Sequence, residues 1–220
     1  MKKLFFALFL TLGLTAVAQE NITEGKVTLK QTMSSDNEQV NAQLAMVGEM
    51  STVTYFKGNK SRTEVSSAMT GSNVTIVDND AKKGIVLMDN PMMGKSYTEI
   101  DLNNISEEDF DKVKVEKIDE TKTILGYKCQ GYKLSMEEQG VNMNMILFST
   151  EALKIATDKT KFGEKVKGFP LFMEIKVNQM GSMMTIITEA TGIDKEVVAD
   201  DMFNLTPPKG FEKITPDGVD

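Results

Sequence analysis

Apolar and polar residues alternate in short runs along most of the chain, and Gly, Asn, Asp or Pro breaks the runs at near-regular intervals. That is the signature of meandering antiparallel strands. The clearest case is residues 171–177, where Leu171, Met173, Ile175 and Val177 take one side and Glu174, Lys176 and Asn178 the other. Met143, Met145 and Leu147 alternate in the same way with Asn142 and Asn144. An earlier strand, 22–33, sets Val27, Leu29 and Met33 on one face. Because strand faces repeat every two residues, Met143, Met145 and Leu147 are expected to share an interior with Leu171, Met173, Ile175 and Val177. Leu29 joins them as a candidate apolar lining residue.

The remaining punctuation predicts hairpins over 51–57 and 60–66 around Gly58-Asn59, and over 72–78 and 84–89 around Asn79-Asp80. A turn at 90–94 leads to a strand over 95–100. Further strands are predicted over 112–118, 127–136, 141–149 and 183–191, with turns at 137–140 and 180–182. Ser35 and Glu38 have capping-box spacing, and Val40, Leu44 and Val47 follow at helical intervals, so a short helix is expected there, ended by Gly48. Ser106 and Asp109 repeat the capping spacing and predict one helical turn over 107–111. Residues 151–166 read as a helix, and 200–204 as a last helical turn. The sum is ten or eleven strands with two or three short helices. A sheet of that many strands curls or closes on itself, so the fold class is mainly β, a strongly curved antiparallel sheet forming an open half-barrel.

The N-terminus reads differently. Met1-Lys2-Lys3 precede an apolar stretch from Leu4, and Ala16-Val17-Ala18 supplies small residues at the positions a signal peptidase needs. Residues 1–18 are therefore expected to be a signal peptide cleaved between Ala18 and Gln19, leaving one antiparallel-β domain over 19–220. An uncleaved anchor competes, but a span needs about 20 apolar residues, and charge arrives at Glu20. No Cys lies near the cleavage site for lipid attachment, so a periplasmic or secreted protein without a transmembrane segment is expected.

Charge and composition then narrow the partners. Without residues 1–18 the chain has 23 basic and 32 acidic residues, a net charge of −9. That acidic surface argues against nucleic acid and anionic membrane, both of which need a basic footprint. One cysteine, Cys129, cannot form an intrachain disulfide, and its strand context reads as a small buried hydrophobe. His is absent, which removes His-dependent catalysis and most zinc or copper sites. Trp is absent too, and with it one common sugar-stacking platform.

Sixteen methionines are the compositional anomaly. Thioethers suit Cu(I), but flexible Met side chains also fill irregular cores and line adaptable apolar cavities. Without His the second reading is preferred, and between cavity and plain core the residues leave the choice open. Carboxylates at Glu107-Glu108-Asp109 and Glu137-Glu138 fall in turns or a helix start and define no catalytic pair. Asp78-Asn79-Asp80 resembles the opening of a calcium loop without its Gly or bidentate Glu, and reads as a hairpin turn. Glycosylation-type triplets begin at Asn21, Asn59, Asn73, Asn104 and Asn204, and are read as coincidence. No catalytic residues, metal site or cofactor are identified.

The stretch Thr121-Lys122-Thr123-Ile124-Leu125-Gly126-Tyr127-Lys128-Cys129-Gln130-Gly131-Tyr132 resembles a segment recurring in an uncharacterised domain-of-unknown-function family of secreted Bacteroidota proteins. Residues 55–62, 168–175 and 203–211 resemble that family in the same order. The neighbouring GLPGLI family is similar, but this chain has Gly168-Phe169-Pro170-Leu171 where that family's defining motif stands. The resemblance implies an architecture similar to the LolA/LolB lipoprotein-carrier superfamily, an unclosed sheet with an apolar concave face. It carries no assigned activity. The function expected is non-enzymatic binding of an apolar small molecule, a lipid or lipoprotein acyl chain, by a monomer. A structural or stress-related envelope protein without a cavity is the alternative, and an enzyme of unrecognised type the third.

Overall fold

In the computed structural model, residues 20–67, 71–104, 113–138, 141–155, 165–179 and 181–215 are described. The expected signal peptide, with its Ala18–Gln19 cleavage site, and the expected turn over 107–111 lie outside them. Twelve strands form one sheet. In chain order they are β1 (Glu24–Ser35), β2 (Met50–Lys57), β3 (Lys60–Ser67), β4 (Gly71–Asp78), β5 (Lys83–Asn90), β6 (Gly94–Asp101), β7 (Lys114–Ile124), β8 (Tyr127–Glu138), β9 (Val141–Thr150), β10 (Phe169–Gln179), β11 (Ser182–Asp194) and β12 (Glu212–Lys213). Their spatial order is β12-β6-β5-β4-β3-β2-β1-β11-β10-β9-β8-β7. Two antiparallel meanders, β1–β6 and β7–β11, are thus welded where β1 pairs with β11. The two-residue β12 runs parallel to β6 and covers that edge.

The connectivity rules out a flat sheet. Strands β6 and β7 follow one another in sequence yet stand at opposite ends of an eleven-strand array. Flat, they would be about 48 Å apart at the usual ~4.8 Å spacing. The chain from Asn104, where the turn after β6 ends, to Lys114 can reach only about 36 Å even fully extended. The sheet must curl to let that link close. It does not close into a barrel by strand pairing, because β7 and β6 do not pair.

Helix α1 (Glu38–Val47) lies between β1 and β2 and packs against β1. Its cap is Asn37, not Ser35: the Asn37 side chain accepts from the Gln39 and Val40 amides at 2.9 and 3.4 Å. Ser35 instead accepts from the Asn37 amide, while the Asn41 side chain holds the Ser35 backbone. Gly48, with φ of 72°, ends the helix where few other residues fit. The helix expected over 151–166 does not begin at its expected start. Leu153 forms a parallel bridge to Ile22, fixed by Ile22 N–H to the Ala152 carbonyl and Lys154 N–H to the Ile22 carbonyl. Its residues 156–164 lie outside the described set. A 3-10 turn, Asp200–Phe203, stands where the last helical turn is expected.

The core divides between the two faces of the sheet. On β4 and β5, Ile76, Ile85 and Leu87 are buried beneath Val198 and Phe203 of the C-terminal segment, with Tyr55, Tyr97, Met202, Leu205 and Phe211 around them. Polar bonds hold that segment down: Lys57 pairs with Asp200 at 2.8 Å, Glu24 accepts from the Val198 amide at 2.8 Å, and Arg62 donates to the Met202 carbonyl. The Lys57 ammonium, hydrogen-bonded to Asp200, is pushed above the usual amine range, and Asp200 is held below the usual carboxylate range by the same bond. Val27, Leu29 and Phe56, on the opposite face, belong to a second cluster with Leu171, and Tyr132, Leu134 and Leu147 form a third.

Candidate functional site: a methionine-lined sheet face

Register fixes which side chains stand together. Met173 opposes Leu147, Ile175 opposes Met145, and Val177 opposes Met143 across β10 and β9. On the other side of β10, Met173 opposes Thr188, Ile175 opposes Ile186, and Val177 opposes Met184. Leu29 joins through Ala190 on β11. Directly opposed residues lie on one face, so seven of the eight apolar residues singled out in the sequence share a face, while Leu171 stands in a bulge of β10 between Pro170 and Phe172. The period-two pattern was sufficient for those seven, because the strands keep their register beyond the bulges at Thr28/Leu29 and Pro170/Phe172.

The face is not uniform along the strands. At the end formed by the start of β1, Val27, Phe56 and Leu171 are fully buried in one cluster with Ile22, Leu153 and Phe169, while Leu147 is fully buried in a separate cluster with Tyr132 and Leu134. Leu29 and Leu171 belong to this packed end, whereas Leu147 packs beside Met145 and Met173. Towards the other end the same face is half-buried: Met33, Ile186, Ile175, Met145, Val177, Met184, Met143 and Met136 are all partly accessible. One row across the sheet, Met33–Ile186–Ile175–Met145–Leu134–Val115, spans six adjacent strands and about 24 Å of contour.

Half of the sixteen methionines lie on this face: Met33, Met50, Met88, Met136, Met143, Met145, Met173 and Met184. None of the eight is fully buried and none is fully exposed. A plain core would drive such side chains towards complete burial. An adaptable apolar surface, partly open to solvent, is the setting in which unbranched thioethers are most useful. Met50, Met136 and Met184 were missed as lining residues, and Met33, set on the face of Leu29 by alternation, was not carried forward as one. For the first three the signal was present only as cross-strand register, which one sequence does not disclose.

The other sequence candidates resolve simply. Asp78 caps its own hairpin: its carboxylate accepts from the Asp80 and Ala81 amides, both at 3.0 Å, and pairs with Lys60. Cys129 is fully buried, and burial pushes its thiol up to about 11. Among the described residues no three His, Cys, Asp or Glu side chains converge as a metal site. No helix among them is long and apolar enough to cross a membrane. A polar depression of about 410 Å³ lies at the packed end, lined by Ser149, Thr150, Glu151, Lys154 and Lys167 among others. Its buried hydroxyls are already committed, Ser149 donating to the Lys167 carbonyl and Thr150 accepting from the Ala152 amide.

Residues 24–211 match the domain of unknown function DUF4412, and the chain belongs to that family. No curated protein matches it. The solved structure of PNGF-II is similar over 87% of this chain, at 14% identity and a TM-score of 0.46, and this chain spans 31% of PNGF-II. The Mycobacterium tuberculosis lipoprotein LppX is similar over 80% of this chain and 90% of its own, at 5% identity and a TM-score of 0.29. Neither score reaches 0.5, so the functional reading rests on this chain's own geometry.

Proposed function

We propose that this DUF4412 chain is an exported, non-enzymatic protein that binds an apolar ligand, a lipid or acyl chain, on the concave side of a half-barrel formed by its curled sheet. One observation carries the reading: seven methionines on β1, β2 and β8–β11, with Ile175, Val177 and Ile186 between them, make a half-buried, largely apolar face. Apolar ligands need such a concave surface, closed at one side and accessible at the other. The packed end supplies rigidity and the methionine end adaptability. Export is supported by the basic, apolar and small-residue segments of positions 1–18. The sequence has no His to serve His-dependent catalysis.

The test is native-state binding of an environment-sensitive apolar dye, followed by displacement with a long-chain fatty acid. Saturable dye binding, displaced by the fatty acid and abolished in urea, is expected. The absence of native-state dye binding would leave the alternative, an envelope protein in which this face is only core.

A further inference from the structure

The methionine-lined face carries one polar pair whose hydrogen bonding is incomplete. Gln31 on β1 opposes Thr188 on β11, in the same row as Met173 and Leu147. The Thr188 hydroxyl donates to the Gln31 side-chain carbonyl at 3.5 Å. That contact occupies the acceptor end of the amide and turns its NH₂ group towards Met50. There the amide meets only a thioether sulfur, at 3.8 Å. A thioether is a weak acceptor, so one strong double donor stands half-buried on an apolar face facing the poorest partner the face offers.

Several other polar side chains on this face are engaged. Thr54 and Thr63 bond each other at 3.1 Å, Ser149 donates to the Lys167 carbonyl, and Gln130 donates to the carbonyls of Ile118 and Gly131. Gln31 differs from them in position as well. It lies where the packed end gives way to the half-buried methionines, with Leu29 buried on one side and Met33 accessible on the other.

Resting on the apolar-ligand reading above, we infer that Gln31, oriented by Thr188, is the specificity-determining residue that selects ligands bearing a carbonyl acceptor, fatty-acyl esters over plain hydrocarbons. The acyl chain runs from Gln31 across Ile186, Ile175 and Met145. The ester carbonyl accepts from the Gln31 NH₂ group in place of the Met50 sulfur. A net hydrogen bond contributes about 0.5–1.5 kcal/mol, a roughly 2–10-fold preference.

The experiment compares methyl laurate with tetradecane, two probes of matched length delivered from cyclodextrin, by displacement of the bound dye. Each is measured on the wild-type chain, on Gln31→Leu and on Thr188→Val. The expected result is that the ester-to-alkane affinity ratio falls several-fold in Gln31→Leu, while tetradecane binds as well as before or better. Thr188→Val, which frees the amide without removing it, lowers the ratio less. Comparing ratios cancels the intrinsic difference in hydrophobicity between the probes and any general loss of stability. An unchanged ratio in both variants overturns the inference while leaving the apolar-ligand reading intact. Failure of the wild-type chain to bind either probe overturns both.

Discussion

Replacing Met173 by Asp and, separately, Leu171 by Asp places the same charge two residues apart on β10. The account predicts very different costs. Leu171 is fully buried at the packed end. There a carboxylate loses the leucine's packing, about 2–5 kcal/mol by analogy with Leu→Ala, and bears a desolvation penalty of several kcal/mol more. Together these approach the whole stability of a domain, about 5–15 kcal/mol, so Leu171→Asp should not fold. Met173 is half-buried beside Tyr132, Leu134 and Leu147. A carboxylate there can turn to water, and the loss is bounded by the value of a fully buried Met, about 1.5–3 kcal/mol. With a denaturant slope of about 2–3 kcal/mol/M in urea, the midpoint should fall by roughly 1 M. Dye affinity should drop with it, because an unpaired charge now sits on the ligand surface. Circular dichroism in urea and dye titration on the same samples decide the matter. If Met173→Asp is as destructive as Leu171→Asp, the face is a sealed core and the graded-cavity argument is wrong.

Cys129 should resist alkylation at pH 8 in the native state, because a thiol at about 11 leaves roughly one molecule in a thousand as thiolate; rapid labelling without denaturant would refute this. The C-terminal clasp should depend on pH at both extremes. Asp200 has a depressed folded value, so its contribution is present above the ordinary carboxylate range and lost as pH falls through that lower value. Lys57 is raised, so its contribution is complete below the ordinary amine range and lost as pH rises through the higher value. Hydrogen-exchange protection of the Val198 amide should follow both limbs, and Lys57→Met should flatten them. Gly168→Ala should destabilise by more than 1 kcal/mol: at φ of 82° a Cβ would stand 2.2 Å from the Thr150 carbonyl oxygen. Urea unfolding that leaves the midpoint unchanged would count against that backbone geometry.

Strand positions were legible because alternation and turn residues are local. Gly58-Asn59 and the turn after Asp78 connect the hairpins the sequence places there, and Asp200–Phe203 turns as expected. Three features were not legible, for three physical reasons. The Leu125-Gly126 turn, with φ of 50° and 85°, makes β7 and β8 one long hairpin. The run before it is mostly polar because β7 is an edge strand, so its alternation is faint. The bridge between Ile22 and Leu153 depends on segments far apart in sequence meeting, and tertiary contact there overrides the helix signal at Glu151. The second core, under Val198 and Phe203, requires knowing that the C-terminal segment crosses β3–β5, which no periodicity records. The apolar face itself was half legible: Met33, Met143, Met145, Met173, Ile175 and Val177 by alternation, Met136 and Met184 only by register.

The most direct test of an occupied apolar face is native mass spectrometry of the chain purified without detergent from the exported fraction of the cells that make it. The account predicts a polypeptide beginning at Gln19 that carries a non-covalent apolar adduct, lost on acid denaturation and absent from folded Met173→Asp. Bare polypeptide mass in every preparation, with no adduct after incubation with a lipid extract of the same cells, would contradict it.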